Sequence, residues 1–124
     1  MPTSRDGIIL FAHGSRDPLW HRPMEAVAAR IAELDTQTPV RCAYLELTPP
    51  DLPACAAALV AEGVSRITIL PLFLGVGKHA REDLPQLLAG LKSAHPGVTF
   101  SLQPAIGEDP RVVDLLARMA LGRN

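Results

Sequence analysis

The chain reads as an α/β protein: a single βαβαβαβα domain over residues 1–124, with a four-stranded parallel sheet and helices on both faces. Two observations predict it. Short apolar runs recur along the chain, nearly continuous instead of alternating, as suits parallel strands covered on both sides. Between them lie segments whose apolar residues fall at helical spacing, several opened by a capping residue followed by proline.

Gly7 to Ala12 is the first strand. Asp17-Pro18 then starts a helix, with Asp17 as N-cap and Pro18 at the first helical position, where its missing N–H costs nothing. Met24, Val27, Ala28, Ile31 and Leu34 supply that helix's buried stripe. Val40 to Leu47 is the second strand, and Thr48-Pro49 repeats the cap-and-proline signal. Leu52, Cys55, Ala56, Leu59 and Val60 make the second stripe, with Gly63 as C-cap. Ile67 to Leu74 is the third strand, in which Pro71 removes a ladder donor and marks a bulge. A third helix carries Leu84, Leu87, Leu88 and Leu91, with Pro85 in or near its first turn. Val98 to Leu102 is the fourth strand, and Asp109-Pro110 opens a last helix whose Val112, Val113, Leu116 and Met119 pack inward.

At 124 residues, such a domain buries roughly two-thirds of the surface of its unfolded chain. Hydrophobic residues make up 48% and charged residues 20%, which excludes a disordered chain. A formal net charge of -1 offers no general attraction to nucleic acid or to an anionic membrane, so neither is an expected partner. The N-terminus has no apolar stretch of signal-peptide type, and the longest apolar run is far short of the roughly 20 residues of a membrane span. A cytoplasmic location follows as the expectation. Cys42 and Cys55 have no redox or zinc spacing and read as small buried hydrophobes.

The chemistry gathers beyond the strand ends, where open α/β sheets bind ligands. His13 follows the first strand, Glu46 ends the second, and His79 follows the third. Two imidazoles and a carboxylate suit divalent cobalt, nickel, iron or zinc, and three ligands leave open positions for an exchangeable ion. Imidazole also titrates near neutral pH, so either histidine can take up protons, though one ring nitrogen cannot hold a metal and a proton together. Ser15, Arg16, Lys78 and Arg81, with the glycine backbone at Gly14, Gly75 and Gly77, form an anion-binding rim for a substrate rich in carboxylates. Tyr44 and Phe73 read as core or cleft wall, Trp20 as packing, and His21 and His95 as surface residues.

Ala12-His13-Gly14-Ser15-Arg16, then Tyr44-Leu45-Glu46 before Pro49, then Pro71 to Leu74 followed by Gly77, His79 and Asp83-Leu84-Pro85, resemble the short class II tetrapyrrole chelatases. The sirohydrochlorin cobaltochelatase type is the nearest, with the ferrochelatase and nickelochelatase as relatives. The resemblance implies a chelatase-like, flavodoxin-like half and insertion of a divalent metal, Co(II) first and Fe(II) or Ni(II) next, into metal-free sirohydrochlorin. It places the chain in cobalamin or sirohaem synthesis, as a lyase with no organic cofactor. By resemblance, His13 and His79 bind the metal or take up pyrrole protons and Glu46 assists, while Ser15, Arg16, Tyr44, Gly77, Lys78 and Arg81 meet the substrate. Longer members carry two such units, so the resemblance implies a homodimer with the cleft between subunits.

Two other readings start from the same residues. Histidine phosphatases and mutases also place a His-Gly after the first strand, but they put an arginine just before the histidine, where this chain has Ala12. A non-catalytic carrier of metal or tetrapyrrole is the other.

Overall fold

The structure is a computed structural model that describes residues 4–123. Strands β1 (Asp6–Ala12), β2 (Val40–Tyr44), β3 (Arg66–Pro71) and β4 (Thr99–Leu102) form one parallel sheet in the order β2-β1-β3-β4. The helices are α1 (Arg22–Leu34), α2 (Leu52–Ala61), α3 (Lys78–Ala94) and α4 (Pro110–Leu121), with short 3-10 turns at Pro18–His21 and Ile106–Glu108. From β1 the chain steps one way along the sheet to β2, and from β2 it returns past β1 to β3 and β4. Right-handed crossovers therefore put α1 on one face and α2 and α3 on the other. The connections diverge between β1 and β3, and this switch point opens a crevice at their carboxyl ends.

The two faces are filled unequally. Ile9, Phe11, Ile67, Ile69 and Phe100 pack with Leu52, Leu59 and Leu91 into the main core, on the α2 and α3 side. Each such side chain contributes about 1.5–3 kcal/mol by leaving water. The α1 side holds only Ala12, Met24 and Tyr44, with Trp20, Cys42 and Leu72 packed against them.

Several boundaries differ from the sequence reading. Asp17 caps as expected, but it caps the 3-10 turn, and α1 begins at Arg22 with Pro23 in its first turn. Of the α1 stripe only Met24 is buried, and Leu34 is exposed. β2 is assigned to Val40–Tyr44, backbone pairing with the β1 end runs on through Leu45 and Glu46, and Leu47, at a left-handed φ of 69°, then turns the chain away. The second helix is capped by Asp51, whose carboxylate accepts from Ala54 N–H at 2.9 Å, and not by Thr48. Pro49-Pro50 instead turns back along the sheet edge, where the Pro50 carbonyl accepts from Tyr44 N–H. Glu62 is the C-cap, with Gly63 just after it at φ 90°.

Pro71 closes β3 in register with Phe11 instead of opening a bulge, and Leu72 N–H still donates to the Phe11 carbonyl at 2.7 Å. Pro85 lies inside α3, since Gly77 caps that helix and burial of Ala80 fixes its first turn. The fourth strand begins one residue later than expected, at Thr99. The last helix starts at Asp109-Pro110 as predicted, but of its expected inward stripe only Val112 is even half-buried. Val113, Leu116 and Met119 are 52%, 41% and 65% exposed, and the main partner of α4 is the 3-10 turn before it. The N-terminal reading includes Met1, Pro2 and Thr3, which lie outside the described residues. Among the described residues no helix is long and apolar enough to cross a membrane.

Candidate functional site

β1 delivers His13 to the rim one residue after the fully paired Ala12. The His13 side chain is exposed, but one face of its ring lies on Phe73, with centroids 4.4 Å apart and planes at 38°. Phe73 is buried and meets Phe11 edge-on at 5.9 Å. The imidazole therefore rests on a shelf made from the ends of the two strands that border the switch point.

Glu46 is joined to this shelf through the backbone. Leu45 N–H donates to the Ala12 carbonyl at 2.9 Å and Glu46 N–H to the His13 carbonyl at 3.0 Å, so pairing continues past the end of β2. Gly14 lets the strands come this close: its φ is 102°, and a Cβ there would overlap the Glu46 carbonyl oxygen. Only glycine meets both conditions without strain. After Glu46 a tight turn brings Thr48 N–H back to the Glu46 carbonyl at 2.9 Å, with the left-handed Leu47 at its centre. The exposed Glu46 side chain thus stands on a backbone fixed from both sides.

His79, Lys78 and Arg81 occupy the opening of α3 and are exposed. The helix has no acidic residue in its first turn, so three basic or titratable side chains share an end that already carries partial positive charge. Such an end attracts carboxylates. Gly75 and Gly77 face open space, with no chain atom near where a Cβ would stand. The structure brings His13 and Glu46 together, while among the described residues no three His, Cys, Asp or Glu side chains gather closely enough to hold a metal ion.

On the α1 side, Ser15, Arg16, His21, Glu25, Tyr44 and Thr48 line a cavity of about 520 Å³. Tyr44 is buried at its wall, and burial, with Cys42 and Glu25 nearby, pushes its phenol up to about 12. It ends β2 as a neutral hydrogen-bonding group. Cys42 and Cys55 are free thiols, and burial raises both, Cys55 to about 11. This keeps them protonated and unreactive at neutral pH.

Two residues that the sequence reading passed over help to build the site. His21 is half-buried, with ring Nε2 2.7 Å from the Ser15 carbonyl, so it is not a surface bystander. Gly107 presses on Leu74, where a Cβ would overlap the backbone, and its N–H donates to the Phe73 carbonyl at 3.1 Å. It locks the shelf from behind. His95 ends α3 as its C-cap and lies 6.2 Å from Phe100, while Trp20 packs against Tyr44 as expected.

A family model described as CbiX matches residues 7–121. The sirohydrochlorin cobaltochelatase of Methanococcus aeolicus is 29% identical over an alignment covering 94% of this chain and 99% of the relative. The chloroplastic sirohydrochlorin ferrochelatase of Arabidopsis thaliana is 27% identical, and the match covers 90% of this chain but 49% of that one. Among solved structures, a CbiX protein of cobalamin biosynthesis from Marinobacter aquaeolei aligns with a TM-score of 0.78 and 36% identity, covering 94% of both chains. The sirohydrochlorin chelatase SirB from Bacillus subtilis subspecies spizizenii, in complex with cobalt, aligns with a TM-score of 0.76 and 27% identity, covering 94% of this chain and 50% of SirB.

Proposed function

Since the chain belongs to the CbiX family, we propose that it is a sirohydrochlorin chelatase, a lyase-type enzyme that inserts a divalent metal into the metal-free tetrapyrrole and releases two pyrrole protons. The observation that carries this reading is the His13 imidazole lying on Phe73 at the switch point, its backbone joined to Glu46. An imidazole fixed on Phe73, with a carboxylate residue on the paired backbone and a basic helix start on α3, suits a reaction in which a polycarboxylate macrocycle meets a metal ion.

In this reading His13 and His79 deliver the metal and take up the two protons, each nitrogen doing one duty at a time, and Glu46 assists by balancing charge. Arg16, Lys78 and Arg81 hold substrate carboxylates, with Ser15, Tyr44 and the Gly77 backbone shaping the contact. Co(II) is the first choice of metal substrate, in keeping with the names of the archaeal relatives, with Fe(II) and Ni(II) as alternatives. No organic cofactor takes part. The 124 residues act as one chelatase unit in the cytoplasm, a compartment in keeping with two free thiols.

The functional unit we propose is a homodimer with the cleft between subunits. SirB and the Arabidopsis enzyme are about twice the length that this chain covers. The exposed apolar side of α4 offers the contact, because a 12-residue amphipathic helix is marginal without a packing partner. Anaerobic incubation with sirohydrochlorin and Co(II), Fe(II) or Ni(II), followed by absorbance, tests the activity. A rate above the metal-only background with at least one metal is expected, and none with any metal would refute it.

A further inference from the structure

We propose that His21 is a positioning residue of this site: its imidazole fastens the loop that leaves His13 and thereby sets where Arg16 meets the substrate. The inference rests on the chelatase reading above and adds a residue to it. His21 Nε2 lies 2.7 Å from the Ser15 carbonyl oxygen. A carbonyl only accepts, so Nε2 carries the hydrogen, which selects one of the two neutral tautomers. The ring is held from two sides, edge-on to Tyr44 at 4.8 Å and edge-on to Trp20 at 5.2 Å. Tyr44 is buried at the end of β2, so the imidazole is anchored to the sheet.

The loop is thus pinned at two points that face different elements. At its start, Glu46 N–H holds the His13 carbonyl, and Gly14 is pressed against the Glu46 backbone. Two residues later, the His21 ring holds the Ser15 carbonyl, while Ser15 Oγ accepts from Asp17 N–H at 3.0 Å. Arg16 follows directly and shares the 520 Å³ cavity with His21. No ion pair of the described residues engages Arg16, which leaves its guanidinium available to a carboxylate. Loss of the His21 bond frees the Ser15-Arg16 backbone, so the cost falls on substrate binding before it falls on chemistry.

His21→Phe keeps a ring against Tyr44 but cannot donate, whereas His21→Gln places an amide donor at a similar reach. We expect His21→Phe to raise KM for sirohydrochlorin roughly five- to tenfold, the worth of one partly buried hydrogen bond, with a smaller fall in kcat. His21→Gln should stay within roughly twofold of the parent. Parent-like KM in His21→Phe, or equal impairment of both variants, would overturn the proposal. Nitrogen-15 NMR of the unmodified protein is an independent check that needs neither turnover nor a stable variant. An Nε2–H tautomer at His21 supports the clamp, and an Nδ1–H tautomer refutes it. A parent protein without activity would count against the chelatase reading, and the tautomer would still decide the His21 bond.

Discussion

The His13 ring lies on the Phe73 ring at 4.4 Å, although the two residues follow different strands and come from distant parts of the sequence. The contact spans the β1–β3 boundary, where the connections part to opposite faces of the sheet. It makes Phe73 both a core residue and the floor of the site. These two duties are separable. Phe73→Ala should destabilise the fold by about 3–5 kcal/mol through its cavity. Phe73→Leu should cost less than about 1.5 kcal/mol yet lower metal insertion roughly tenfold, because the flat support under His13 is gone. Urea unfolding and insertion rates on the same samples check this, and parallel losses would contradict it.

Gly14 and Gly75 are both rim glycines with different demands on them. Gly14→Ala meets a φ of 102° and the Glu46 carbonyl, so it should cost at least about 2 kcal/mol and separate His13 from Glu46. Gly75→Ala faces open space and should change stability by less than about 1 kcal/mol. Thermal unfolding of the two variants distinguishes required glycine from tolerated glycine.

Much of this was legible in the sequence because it is local. Apolar runs located the four strands, and the His-Gly after β1 follows from where that strand stops, whereas Pro85 signalled a later start for α3 and so hid that Lys78, His79 and Arg81 lie in its first turn. What was hidden depends on distant backbone. Gly107 fits against Leu74, a contact that no spacing rule shows. Thr48-Pro49 and Asp51-Leu52-Pro53 both carry helix-start signals, and the Asp51 carboxylate decides between them by capping Ala54. His21 looks like a surface residue until the 3-10 turn swings it back to Ser15. For α4, helical spacing identified the apolar stripe but not what covers it.

Tyr44 gives a pH signature. Its phenol ionises at about 12 in the folded protein against the ordinary 10.0, so the fold holds that proton more tightly than the unfolded chain does. The stabilisation, about 3 kcal/mol, is complete below about pH 10 and is lost as pH rises toward 12. Cys55, raised from 9.0 to about 11, adds a loss of the same sign beginning lower. Denaturant midpoints measured from pH 8 to 12 should fall, and Tyr44→Phe should flatten the upper part of the curve.

Leu116, in the middle of α4, is 41% exposed and lies at helical spacing from Val113 and Met119. Leu116→Asp should turn a dimer into a monomer in sedimentation velocity and reduce insertion at least roughly tenfold, while urea unfolding of the monomer still shows a cooperative transition. A parent protein that sediments as a monomer at full activity would refute the dimer.

The role proposed for His13, on its Phe73 floor, is direct participation in metal insertion. The direct measurement is single-turnover Co(II) insertion into sirohydrochlorin under anaerobic conditions, comparing the parent with His13→Ala. A parent rate well above the metal-only background is expected, with a loss of roughly a hundredfold or more in the variant and the unfolding midpoint little changed. Equal rates in a folded His13→Ala variant would contradict it.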